Sequence, residues 1–232
     1  MMISVCVATY NGEDFILEQI NSILSQLSPT DEVVISDNCS TDATVQIIRS
    51  LNDERIRLYS FSPGNLVRNF ENGLTKCAGD VIFLSDQDDV WLPGRVKRML
   101  AELAVHDVVV ADCRVVDASL TTVRESLFAV LRPQSGLVRN LMRNSYIGCC
   151  MAFKRPVLDA ALPFPAKLPM HDWWIGLVGE MVGLATFIHE PLLLYRRHGN
   201  NASPTSGKSA NSLVKKLAMR FLLAKNIWRR FG

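Results

Sequence analysis

The chain has 232 residues, 48% of them hydrophobic, and a formal net charge of +2, which suits one large domain with a substantial core. Charge this nearly balanced excludes a general polyanion-binding surface, so no nucleic-acid partner is expected. The six cysteines, Cys6, Cys39, Cys77, Cys113, Cys149 and Cys150, form no C-x-x-C pair and read as buried thiols in a reducing compartment.

The opening MMISVCVATYNG has neither a basic segment nor a cleavage site, and no apolar run reaches the roughly 18 residues of a spanning helix. A soluble, cytoplasmic chain is the expectation. ISVCVAT predicts a buried strand, and the following segment carries Ile16, Ile20, Ile23, Leu24 and Leu27 on one helical face. EVVISD is a second strand. Ser40, Thr41 and Asp42 then offer caps for a helix bearing Val45, Ile47, Ile48 and Leu51. RIRLYSF, NLVRNFENGLTKCAG, DVIFLS and LPGRVKRMLAELA continue the alternation of strand and helix. This order specifies a mostly parallel sheet covered by helices, with its ligand beyond the carboxyl ends of the strands.

Polar clusters stand at those ends: Thr9 to Gly12, Asp37 to Asp42, and Asp86, Asp88 and Asp89 in SDQDDVW. Crowded carboxylates repel one another unless a cation or hydrogen-bond donors meet them. An Asp-x-Asp at a strand end suits a hard divalent ion bridging to phosphates, and a solvated turn capping the next helix is the plainer alternative. In the second half, DVVVADCRVV, YIGCCMAF and ATFIHEPLLLYRRHG read as strands, HDWWIGLVGEMVG as a helix, and 121–144 as ambiguous and basic. NNASPTSGKSANS reads as a linker. Beyond it, Leu213, Leu217, Phe221, Ala224, Trp228 and Phe231 recur at helical spacing among lysines and arginines. That pattern fits peripheral membrane contact, or a helix packed on its own domain or on a second subunit.

VCVATYNGEDFILEQINSILSQ, VVISDNCSTDAT, AGDVIFLSDQDDVW, MHDWW and YRRHGNN occur in the order found in family 2 glycosyltransferases, and the chain resembles the bacterial rhamnosyltransferase-like branch of that family over about residues 3–201. The resemblance implies a GT-A fold: an α/β, Rossmann-like nucleotide-binding half, a smaller mixed acceptor half and an amphipathic C-terminal helix. The expected division is 1–200 for the catalytic domain, split into 1–112 and 113–200, and 201–232 for linker and helix.

The resemblance also assigns roles. Thr9, Tyr10, Asn11, Asp37, Arg68, Asn69, Asp86 and Gln87 would contact the donor, with Tyr10 stacking on the base and Asp37 accepting from an imide N–H. Asp88 and His198 would hold Mn²⁺ or Mg²⁺, Arg196 and Arg197 would help neutralise a diphosphate, and Asp172 would be the general base. His171 stands where many members carry Glu. Trp173 and Trp174 read either as a sugar platform or as core. The implied reaction is inverting transfer from a dTDP- or UDP-sugar, dTDP-rhamnose first. The acceptor is a saccharide or an undecaprenyl-diphosphate-linked glycan in surface polysaccharide synthesis. A sugar-1-phosphate nucleotidylyltransferase would want a Gly-rich basic loop that ATYNGEDF lacks, and a non-catalytic binding domain would predict broken motifs.

Overall fold

Runs of β-branched residues build the first half. The computed structural model describes residues 1–62, 64–199 and 212–232, so the predicted linker 200–212 lies outside the described residues but for Ser212, which caps the last helix. β1 (Ile3–Thr9), α1 (Ile16–Leu24), β2 (Glu32–Asp37), α2 (Thr44–Ser50), β3 (Ile56–Ser60), α3 (Leu66–Leu74) and β4 (Val81–Asp86) follow in order. β1 pairs in parallel with β2 and β4, and β2 with β3. Val5, Val7, Val33, Ile35 and Phe83 are wholly buried, as strands covered on both faces require. Each such side chain stabilises the fold by about 1.5–3 kcal/mol relative to exposure.

Next come β5 (Val90–Trp91), α4 (Arg95–Leu103), β6 (Val108–Val116), β7 (Thr122–Arg124), α5 (Phe128–Leu131) and α6 (Leu137–Met142). A single 3-10 turn (Gly148–Cys150), β8 (Met151–Lys154), α7 (Arg155–Ala161), α8 (His171–Val182), β9 (Ala185–Arg196) and α9 (Leu213–Phe231) complete the chain. All strands join one sheet in the order β3-β2-β1-β4-β8-β6-β9-β5, with β7 on β6. β8 runs antiparallel to both β4 and β6, which turns the parallel half into a mixed one. Position 112/113, expected to separate the two halves, falls inside β6. The segment expected as the strand YIGCCMAF is a strand only from Met151, because Gly148–Cys150 winds into the 3-10 turn.

The last helix divides its apolar residues between two faces. α9 packs on α6 and α8 chiefly through Leu223 and Ile227, joined by Phe231 from the residues read as its apolar face. Arg230 locks it by donating to the carbonyls of Ala160, Leu162 and Pro163, its guanidinium 5.6 Å from the Trp174 ring centre. Leu217, Phe221 and Trp228 point outward instead.

Candidate active site

β1 and β4 end side by side, Ala8 opposite Asp86 in register, and a cavity of about 400 Å³ opens beyond them. Thr9, Tyr10, Asn69, Asp86, Gln87 and Asp88 line it from the first half, and Tyr146, Gly148, Cys149, His171, Asp172 and Tyr195 from the second. Asp88 and Asp172, distant in sequence, therefore share one cleft.

The wall at the ends of β1 and β4 is a web of loops. The buried Thr9 donates from Oγ1 to Asp37 at 2.8 Å, and its carbonyl accepts from Asn69 Nδ2 at 3.2 Å. Asn69 is itself held by Ser36 Oγ at 2.6 Å. Gln87 accepts from Tyr10 N at 2.8 Å and donates to Tyr10 O at 3.0 Å, clamping the β1–α1 loop to the β4–β5 loop. Gly12 permits this approach, since a Cβ there would come within 2.5 Å of the Gln87 side chain. Tyr10 stays exposed at the rim, a free aromatic face for a base.

Three expected donor contacts are placed differently. Asp37 is buried behind Thr9, accepting from Thr9 Oγ1, Ser40 Oγ and Ser40 N, and Asn38 takes the lining position in its stead. Asn11, in the left-handed region at φ 46°, does not line the cavity but accepts from Thr41 N and donates its own N–H to Ser40 Oγ. Arg68 turns away from the cleft. Its guanidinium donates to the carbonyls of Phe164, Pro165 and Ala166 and pairs with Glu71, while Glu71 accepts from Phe164 N. The pair thus fixes the approach to α8 rather than a ligand. In each case a partner far along the chain decides where the side chain points.

The acidic loop is pinned from below by Arg196. This buried residue donates from its backbone N to Asp89 at 3.0 Å, and from its guanidinium to Asp88 O and Ala118 O, and it lies over the Phe15 ring. The same guanidinium pairs with Glu18. Arg197 sits over the Tyr195 ring. Asp88 meets His198 Nε2 at 2.8 Å, and His198 stacks on Phe15 at 4.7 Å. Burial first, then the charges of Asp88 and Asp172, push the Asp86 carboxyl up to about 8.

The opposite wall is dry. Asp172 lies in the first turn of α8 and accepts from Gly148 N at 3.1 Å and Trp173 N at 2.6 Å. Burial lifts its pKa to about 6, with those N–H groups opposing the rise. His171 beside it stacks on Phe70 at 3.9 Å, and both its buried ring nitrogens lack a hydrogen-bond partner. Burial lowers its pKa to about 3, so the imidazole is neutral. Trp173 and Trp174 take the core alternative, their indole N–H groups donating to Asn140 O and Ala161 O.

Residues 4–162 match the family described as glycosyl transferase family 2. The chain belongs to that family. It is built as a glycosyltransferase, and Asp172 and His198 lie beyond the matched segment. Over 241 residues it is 27% identical to dTDP-rhamnosyl transferase RfbG of Shigella flexneri, covering 97% of this chain and 81% of that one. The fold is shared with TarS 1-349 of S. aureus solved with UDP-GlcNAc, at a TM-score of 0.74 and 22% identity over 98% of this chain and 66% of that one. It is shared too with the mannosyltransferase PcManGT of Pyrobaculum calidifontis, solved with GDP-Man and Mn²⁺, at 0.65 and 20% over 99% and 64%. This transferase thus spans just under two thirds of either solved chain.

The donor set fits a hard divalent cation. Two carboxylates, Asp86 and Asp88, line the cavity with an imidazole at Asp88, and the Asp86 carboxyl, raised first by burial and then by the charges of Asp88 and Asp172, stands where a cation would favour its ionised form. Asp86, Asp89 and Cys149 also gather ligand atoms within 4.8 Å. A hydrogen bond with Cys150, then burial and the neighbouring acids, push that thiol up, keeping it protonated, and sulfur is a poor match for Mg²⁺. Tyr146, Gly148 and Tyr195 of the transferase were not singled out as site residues from sequence. Tyr195 had a local signal as the first residue of the YRRHGNN cluster, whereas Gly148 had none.

Proposed function

We propose that this chain is a metal-assisted, inverting glycosyltransferase that moves a sugar from a nucleotide diphosphate to a hydroxyl of a saccharide or undecaprenyl-diphosphate-linked acceptor. dTDP-rhamnose is the first donor on likeness to the Shigella relative, and UDP-hexoses or UDP-N-acetylhexosamines come second, TarS being solved with UDP-GlcNAc. The reading places the chain at the cytoplasmic face of a bacterial inner membrane, in O-antigen or capsule assembly, with α9 as its peripheral contact.

The observation that carries the proposal is one cavity lined by Asp88 and Asp172 in unlike settings. Asp172 takes the proton of the acceptor hydroxyl, whose oxygen bonds to the anomeric carbon as the bond from that carbon to the diphosphate breaks; the diphosphate leaves with the electron pair. At neutral pH a group titrating near 6 is mostly ionised, yet more basic than an ordinary Asp. Asp88 and His198, with Asp86, would hold Mn²⁺ or Mg²⁺, which when bound supplies charge neutralisation for the leaving group. Tyr10, Gln87 and Asn69 shape the nucleotide wall.

A donor panel tests this: thermal shift with dTDP- and UDP-sugars plus Mn²⁺, then nucleotide release with the best binder and a saccharide acceptor. One donor should both stabilise the chain and turn over. A chain that binds none of them, or releases a nucleoside monophosphate and sugar phosphate instead, overturns the reading.

A further inference from the structure

We propose that the outer face of α9 is a docking surface for an anionic lipid bilayer, formed by an apolar stripe that the fold does not use. It deepens, and rests on, the reading that the acceptor is lipid-borne. α9 has two apolar faces. Leu223 and Ile227 are consumed in packing on α6 and α8, so the helix's place in the fold is already explained. On the other side Val214, Leu217, Phe221 and Trp228 are exposed, the two aromatics at 71% each. Spacings of three, four and seven residues put them on one line along the helix.

Charge decides what covers that line. Residues 212–232 contain six lysines and arginines and no acidic residue. Lys215, Lys225 and Arg229 are exposed, and Lys216 and Arg220 half-exposed. A second copy meeting this face about a two-fold axis would set these cations against themselves. An anionic bilayer meets both demands, taking aromatic and aliphatic side chains into its acyl boundary and cations at its headgroups. The apolar surface does not end at the stripe. Trp228 also borders an almost wholly apolar groove of about 310 Å³ lined by Leu137, Leu141, Met181, Ala224 and Ile227. Met181 stands nine residues along α8 from Asp172, a rise of about 14 Å, so one helix links this surface to the proposed base. No helix among the described residues is long and apolar enough to cross a membrane, so the surface lies on the bilayer rather than in it.

The test is co-sedimentation of the full chain with phosphatidylglycerol-containing vesicles and with pure phosphatidylcholine vesicles. Expected are binding to the first, weakened by salt, and at least about a ten-fold loss of partitioning in Phe221→Glu/Trp228→Glu. Lys225→Glu/Arg229→Glu should lose anionic-vesicle binding through charge alone. Trp91, Trp173 and Trp174 are buried, so a blue shift of tryptophan emission on vesicles should vanish in Trp228→Phe. Equal binding to both vesicle types, no binding at low salt, unchanged partitioning of the variants, or a dimer that Phe221→Glu dissolves without any vesicle effect would each overturn the proposal. Nucleotide release with a water-soluble acceptor should be unchanged in Phe221→Glu, and it tests the catalytic reading separately.

Discussion

The two ends of the cleft use the same residue type in opposite ways. At the end of β4, Asp86, Asp88 and Asp89 crowd together over the Arg196 brace, with His198 against Asp88. At the start of α8, Asp172 sits among apolar neighbours beside a neutral imidazole, held by peptide N–H groups alone. Crowding makes the first pole receptive to a cation; dryness makes the second receptive to a proton. Paired titratable groups with divergent environments commonly divide roles in this way.

Breaking the dry pole should have the largest effect. Asp172→Asn keeps the shape and removes the basic oxygen, so kcat should fall by roughly 10³-fold with nucleotide affinity unchanged; near-normal turnover would remove Asp172 as the base. The wild-type profile sharpens the same point. A base with a pKa raised to about 6 works ionised, so kcat/KM should be level above neutrality and fall as pH drops below 6, a limb absent from the residual activity of Asp172→Asn.

Breaking the crowded pole comes next. Asp88→Ala should abolish the gain in UDP or dTDP affinity that Mn²⁺ or Mg²⁺ confers, and lower kcat by roughly 10²-fold. Calorimetry giving wild type the same affinity with and without metal would count against the cation role. A smaller effect is expected at the hinge between wall and base. A Cβ on Gly148 would stand 3.0 Å from His171 Nε2 and 3.5 Å from Asp172 Cβ, so Gly148→Ala should cost about 1–3 kcal/mol in denaturant unfolding. Arg68→Ala should be smallest, lowering stability by about 1 kcal/mol as its bonds to the 164–166 carbonyls are lost. A rise in donor KM for that variant would restore Arg68 as a donor contact.

The parallel half was legible because buried strands announce themselves as unbroken β-branched runs, and because strand ends in such sheets mark the site. Asp86, Asp88 and Gln87 could be placed at the cleft on that ground, and Asp172 and His198 were reached only through family resemblance. Side-chain direction was not legible where the partner lies far off in sequence. Nothing within LVRNF says that Arg68 is committed to carbonyls nearly a hundred residues away, nor does SDNCS say that Asp37 faces inward to Thr9. Helical periodicity likewise located Leu217, Phe221 and Trp228 along one line of α9, but not that Leu223 and Ile227 are the residues that meet a neighbour.

The unbroken sheet has a mechanical corollary. Strands contributing to either wall are stitched into one hydrogen-bonded ladder from β3 to β5. The ladder ties the strand end beneath Asp86 and Asp88 to the second half of the chain, while Asp172 takes its position from the packing of α8 against α3, β9 and the 3-10 turn.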